Sequence, residues 1–196
     1  MPSLISHSVV GLAAGTAVAS RSMPFRFWVL SVFCAVLPDA DVIGFSFGIR
    51  YGDVLGHRGF FHSLFFALLL SLAVVALFFR HERIFSRQWW CLNGYFFILS
   101  ASHGILDAFT SGGLGIALFS PFDMTRYFFP WTPIRVSPIG LHAFFGPWGF
   151  RVLESEIRWV ILPAAGMAVA LRAALKTIRA RSRKHSSGPR SRDKMV

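Results

Sequence analysis

HSLFFALLLSLAVVALFF, running from His62 to Phe79, is the stretch that decides the fold. Beyond Ser63 it holds one hydroxyl, Ser71, and no charge. About 20 predominantly apolar residues cross the hydrocarbon core of a bilayer, so this stretch reads as a membrane span. A second span, Ile157 to Leu175, is apolar apart from Arg158 and Arg172 near its ends. A third, Trp89 to Leu106, is rich in aromatics, with Trp89 and Trp90 placed as interfacial anchors. Two weaker stretches come first: Ile5 to Ala19, rich in Gly and Ala, and Phe27 to Leu37. Both are short, and read as tilted or packed closely through Gly11, Ala14 and Gly15. The expected fold is all-α: a polytopic membrane bundle of about five helices over residues 1–175, followed by a basic, disordered tail at 176–196.

Composition agrees. Hydrophobic residues make up 54% of the chain and charged residues 15%, with a mean hydropathy of +0.55. A soluble domain carries about 25% charged residues. The net charge is +11, but nine of the 20 basic residues fall between Arg172 and Lys194. No aromatic residues interleave them and a membrane helix precedes them. The tail therefore reads as a segment beside anionic lipid rather than a nucleic-acid site. Cys34 and Cys91 lie in apolar runs without CxxC spacing and read as buried small hydrophobes. The N-terminus lacks a basic leader region, so no cleavable signal peptide is expected.

If the five stretches alternate across the membrane, Arg21, Arg26, Arg80, Arg83, Arg87 and the nine tail residues share one side, 14 basic residues against six on the other. The positive-inside rule then makes the tail cytoplasmic. Of the acids, Asp39, Asp41, Asp53, Asp107, Asp123, Glu154 and Glu156 fall on the opposite, outer side, where the helix ends also carry His7, His62 and His103. His81 and His185 fall on the cytoplasmic side. Between the last two spans, Thr110 to Glu154 is punctuated by Gly112, Gly113, Gly115, Pro121, Pro130, Pro133, Pro138 and Pro147. That pattern breaks regular elements, while its aromatic content argues against disorder. It reads as an irregular outer cap that shapes a substrate entrance. His142 is expected at its surface.

Three short motifs carry chemistry. His103 and Asp107 stand i, i+4 and share a helix face, so imidazole and carboxylate can meet one ion; a plain His–Asp hydrogen bond would need the same spacing. His57-Arg58-Gly59-Phe60-Phe61-His62-Ser63 places two imidazoles around an Arg and a Gly where a span begins. Gly59 can make the tight turn, and Arg58 can grip an anion with its guanidinium fork. An interfacial loop facing headgroups is the ordinary reading. In Pro38-Asp39-Ala40-Asp41 the proline is expected to end a helix, so that two carboxylates leave it facing the same way. Such a pair repels unless a cation intervenes; a solvated turn is the ordinary alternative. His7 alone would be a structural histidine.

Taken together, His7, Pro38-Asp39-Ala40-Asp41, His57 to Ser63, His103-Gly104-Ile105-Leu106-Asp107 and Thr110 resemble the YdjM/YbcI-type membrane-bound metal-dependent hydrolases, a family distantly similar to the zinc-dependent phospholipase C and nuclease group. The resemblance covers residues 1–175. It implies one to three divalent ions, zinc by analogy, that cleave a phosphoester. It marks His7, Asp39, His57, His62, His103 and Asp107 as metal ligands and Asp41 as a further ligand or base. The related soluble enzymes add a late His-x-x-x-Glu pair and an N-terminal Trp amine. Here the residue four after His142 is Gly146 and the chain begins at Met1, so Glu156 stands as the substitute. The resulting expectation is a multi-pass inner-membrane hydrolase. Its substrate is a lipid or lipid-linked phosphoester, its catalytic residues are Asp41, Arg58 and Glu156, and its partner is the bilayer rather than nucleic acid. The alternative is a non-catalytic protein with a structural or sensing metal site. A transporter ranks last, because its ionisable residues would sit at the membrane midplane rather than at helix ends.

Overall fold

The computed structural model describes residues 1–19 and 23–186. Five helical rods form the bundle, and the described residues contain no strand. Helix α1 (Leu4–Val18) starts at Ser3, whose hydroxyl accepts from the Ser6 amide and satisfies one of the free N–H groups of the first turn. Helix α2 (Phe25–Val36) follows Pro24 and then tightens into a 3₁₀-helix over Leu37–Phe47, closing at Gly48 in the left-handed conformation. Helix α3 (Leu64–Phe78) is capped by Ser63 and α4 (Arg87–Ala108) by Ser86. After the cap come the short α5 (Leu141–Phe144), then α6 (Pro147–Glu156), a π-helical turn at Ile157–Ile161, and α7 (Leu162–Ser186).

Pro38 does not end the second rod. It occupies the first turn of the 3₁₀ segment, where its fixed φ suits the helix. Phe25–Phe47 is thereby one rod of 23 residues, long and apolar enough to cross a membrane, as is Pro147–Ile178 with 32. At the other end, α7 continues to Ser186, eleven residues past the expected boundary at Leu175. Lys, Arg and Ala, all strong helix formers, make up six of those eleven residues. The remainder of the basic tail, residues 187–196, lies outside the described residues.

Helix α1 packs on α2 and α7, α3 on α4, and α2 on α4. Phe27, Leu30, Cys34, Val74, Val75, Phe79, Phe96 and Leu99 interlock at the centre. The expected close approach of α1 is present: a Cβ on Gly11 would stand 2.8 Å from the Ser31 carbonyl oxygen of α2. Large apolar side chains such as Leu68, Leu77, Met167 and Val169 point outward, as lipid contact requires. Cys34 is buried as expected, but Cys91 is exposed. A helix that is apolar all round gives no periodic signal of which face it buries.

The cap is irregular up to Gly140, with isolated bridges joining Thr110 to Ile134 and Ile116 to Tyr127. It is fastened to the bundle by main-chain hydrogen bonds. Leu64 N–H donates to the Leu118 carbonyl, Ala117 N–H to that of Arg58, and Phe129 N–H to that of Ala108. Ile116, Ala117, Ile134 and Val152 are fully buried beneath it. Its last part is helical, since Pro147 opens α6 at the position where proline suits a helix.

Candidate metal centre

The start of α1, the 3₁₀ extension of α2, the turn before α3 and the end of α4 meet at one end of the bundle. They bring His7, Asp39, Asp41, His57, Arg58, His62, His103 and Asp107 together, none more than 7% exposed. Ligand atoms of Asp39, His62, His103 and Asp107 all lie within 4.8 Å of one another, as do those of Asp41, His57 and His62. The 3₁₀ twist separates the two carboxylates that an extended segment would have aimed together. Asp39 faces His103 and Asp41 faces His57.

His103 and His62 both turn Nε2 toward the first group. His103 Nδ1 lies 2.8 Å from the Ala35 carbonyl oxygen, which can only accept, so this nitrogen carries a proton and Nε2 is the ring atom left to face the group. His62 Nδ1 stands 3.1 Å from Asp41 Oδ2. The two Nε2 atoms face each other at 3.1 Å. His103 Nε2 is 3.2 Å from Asp39 Oδ1, and His62 Nε2 is 3.5 Å from Asp39 Oδ1 and 3.6 Å from Asp107 Oδ2. All four oxygens of Asp39 and Asp107 are buried and receive no aligned hydrogen bond. Burying carboxylate is costly, by several kcal/mol per ion, and with Arg58 against Asp107 as the one fixed positive charge beside the two acids among the described residues, the group fits a cation. Zinc bonds of about 2.0–2.1 Å arranged tetrahedrally place neighbouring ligands about 3.3 Å apart, and the spacings here run from 3.1 to 3.6 Å.

The second group braces the first. Asp41 Oδ1 accepts from His57 Nδ1 at 2.7 Å and its Oδ2 from the Arg58 amide at 3.2 Å, so neither oxygen is free. His57 is further held by Tyr51, ring edge to ring at 5.2 Å, and its carbonyl accepts from Arg126. Burial alone would push the His62 imidazole down; the carboxylates of Asp39 and Asp41, with Asp107 behind them, override it and raise it to about 9. His7 stacks on His103, with centroids 3.8 Å apart, and sets Nε2 3.3 Å from the other oxygen of Asp107.

Arg58 is wholly buried and held at a φ of 65°, a conformation that β-carbon sterics disfavour. Its Nη1 donates to the Gly112 carbonyl at 2.6 Å and its Nη2 to Thr110 Oγ1 at 2.7 Å, while Nε pairs with Asp107 Oδ2 at 3.2 Å. The expected anion grip is therefore directed inward, at Asp107. Glu156 stands apart from both groups. It accepts from the Ser3 amide, from Ser3 Oγ at 2.6 Å and from Ser6 Oγ at 2.8 Å. Glu154, Asp53, Asp123 and His142 are exposed. The residues that sequence reading passed over are those that seat these groups: Ser3, Ser6, Tyr51, Gly112 and Arg126. Only Ser3 left a trace, as an N-cap hydroxyl ahead of the first apolar run.

A helical membrane bundle with a buried imidazole–carboxylate cluster at one end defines the class. The chain belongs to the YdjM inner membrane protein family, whose model matches residues 1–180. It is similar to the inner membrane protein YbcI of Escherichia coli (strain K12), with 39% identity over 163 residues, 83% of this chain and 92% of that protein. No solved structure matches it.

Proposed function

We propose that this protein is a multi-pass inner-membrane hydrolase that uses a divalent ion to cleave an ester bond, a phosphoester of a lipid or lipid-linked molecule by family analogy. The observation that carries the reading is the set of four buried ligand atoms that all lie within 4.8 Å of one another, four of their pairs at 3.1–3.6 Å. Asp39, His62, His103 and Asp107 would hold the ion, zinc by the chemistry of the donor set, with His7 beside the second oxygen of Asp107. Such an ion supplies Lewis acidity, drawing charge from an ester oxygen and making water nucleophilic near neutral pH. The protein's own residues position that chemistry. Asp41 and His57 fix the ring of His62 so that Nε2 points inward, the role carboxylates commonly play behind a ligating histidine. Arg58 orients Asp107 rather than meeting substrate, and Glu156 ties the start of α1 to the end of α6. The family name and that of YbcI support inner-membrane placement. The distribution of basic residues supports a cytoplasmic tail and an outer-facing site.

A second reading has its own observation. A structural metal site is closed by four protein ligands, and the four residues here are at most 3% exposed. The two readings part in one assay. Detergent-purified protein loaded with zinc or manganese is given phosphodiester and lipid phosphoester substrates, beside His62→Ala and Asp107→Ala. The hydrolase reading expects metal-dependent turnover that both variants lose. Metal retained by the wild type without turnover on any substrate would favour the structural site.

A further inference from the structure

Two cavities meet at Asp39. The larger, about 760 Å³, is a groove between α1 and the second rod, walled by Leu12, Val29, Val32, Phe33, Val36 and Ile43. The smaller, about 260 Å³, lies under the cap and is bounded by Ile5, Ser137, Pro138, Phe144 and Phe145. Leu4, Asp39 and Val42 line both, so the spaces adjoin at those residues. Small-molecule sites run from roughly 300 to 1,000 Å³, so the groove is of ligand size. Among the described residues, no Lys, Arg or His lines either cavity.

The groove belongs to the part of the bundle that spans the membrane. Leu12, Val29, Phe33 and Ile43 are 44–59% exposed along its walls, so it opens sideways to lipid rather than to water. Its floor follows α2 from Phe25 to Val36, about 16 Å at the helical rise per residue. That is half of a hydrocarbon core about 30 Å thick, the depth of one leaflet. At its far end the groove reaches the one charged residue in its lining, Asp39, whose carboxylate oxygens are buried and lack hydrogen bonds.

Resting on the hydrolase reading above, we infer that the substrate is a bilayer lipid whose hydrolysable linkage is flanked by hydrocarbon. One chain lies in the α1–α2 groove, the linkage stands at Asp39, and a second apolar part sits under the cap. With no basic side chain lining either cavity among the described residues, charge is left to the cation of the cluster and the Met1 amine at the edge of the smaller cavity. The linkage thus carries at most one negative charge, as in a phosphodiester or a carboxylic ester, and a polyanionic head is rejected.

The test uses the full chain in phosphatidylcholine nanodiscs containing a trace of diacyl phosphatidylcholine with a photoreactive diazirine in one acyl chain. Adducts are mapped by mass spectrometry. Labelling is expected to concentrate on residues 4–12 and 29–43. Val32→Trp, and Leu12→Trp from the opposite wall, should each lower it several-fold while leaving adducts on α3 and α7 unchanged. Excess diacylglycerol should compete, and a phosphatidylinositol bisphosphate of the same chains should not. Uniform labelling of every lipid-facing helix, indifferent to both substitutions, would overturn the groove as a binding site. So would cross-links from the groove to a second protein chain. Equal competition by both lipids would overturn the charge limit. Bound metal is measured in parallel: groove labelling intact with metal undiminished in His62→Ala and Asp107→Ala would instead sink the hydrolase reading.

Discussion

On a 3₁₀ turn, residues two apart leave the axis about 240° apart, and this is why Asp39 and Asp41 serve different histidines. Asp39 joins the group that would hold an ion, and Asp41 stands behind His62, bonded to His57. Loss of a residue behind a ligand typically weakens metal affinity 10–100-fold. Asp41→Asn should therefore bind metal more weakly by about that factor, in a competitive chelator titration, while His103→Ala binds none. Equal loss in the two variants would make Asp41 a direct ligand. His62 adds a dependence on pH. Its imidazole is raised from 6.5 to about 9 in the ion-free protein, so proton and cation compete for one nitrogen. Binding should release close to one proton per chain between those values, and affinity should climb as pH rises through that window. Calorimetry in buffers of different ionisation enthalpy measures it; proton uptake, or none, would contradict the arrangement. The same raised value gives the ion-free fold a contribution fully present below pH 6.5 and lost as pH rises through about 9.

Helices rather than single residues set the distances between these groups. Helix α4 approaches the turn before α3 so closely that a Cβ on Gly104 would stand 2.6 Å from the His62 carbonyl oxygen. Gly104→Ala should push α4 outward, separate His103 from His62, and cost both bound metal and thermal stability. A variant with wild-type melting and metal content would remove that constraint. Glu156 closes the join between α1 and α6 at the edge of a π turn, a feature common at functional sites. Glu156→Gln swaps a charged acceptor for a weaker one that also donates. It should lower stability by about 1.5–3 kcal/mol, read by thermal unfolding in detergent, with metal content retained. Unchanged melting with turnover abolished would return Glu156 to the chemistry. Element positions were legible where apolar runs were long, as in His62 to Phe79. The 3₁₀ continuation past Pro38 was not, because a proline inside a first turn and a proline that ends a helix are identical in sequence. Nor was the burial of Arg58, whose partners Thr110, Gly112 and Asp107 are set by cap geometry at 49 residues or more in chain separation.

Across the whole molecule, the candidate ligands gather at one end of the bundle, and the sequence carried that feature most fully. His7, Asp39, His57, His62, His103 and Asp107 lie as far as 100 residues apart in the chain, yet the first turns of α1, the 3₁₀ continuation of α2, the turns before α3 and the last turns of α4 carry them all. What the sequence did not carry was the division of labour among them, since ligand and brace use the same residue types. The proposed orientation is open to fusion reporters. A fluorescent protein after Val196 should mature in the cytoplasm, and alkaline phosphatase inserted near Asp123 should be active outside. The reverse pattern would place the site on the cytoplasmic face. The central claim, that His62, His103, Asp39 and Asp107 converge to hold a cation, is tested most directly by elemental mass spectrometry of the detergent-purified protein beside His103→Ala and Asp107→Ala. At least one divalent ion per chain in the wild type, lost in both variants, is the predicted result. A wild type that stays metal-free after zinc or manganese loading, or variants that retain its full metal content, would contradict it.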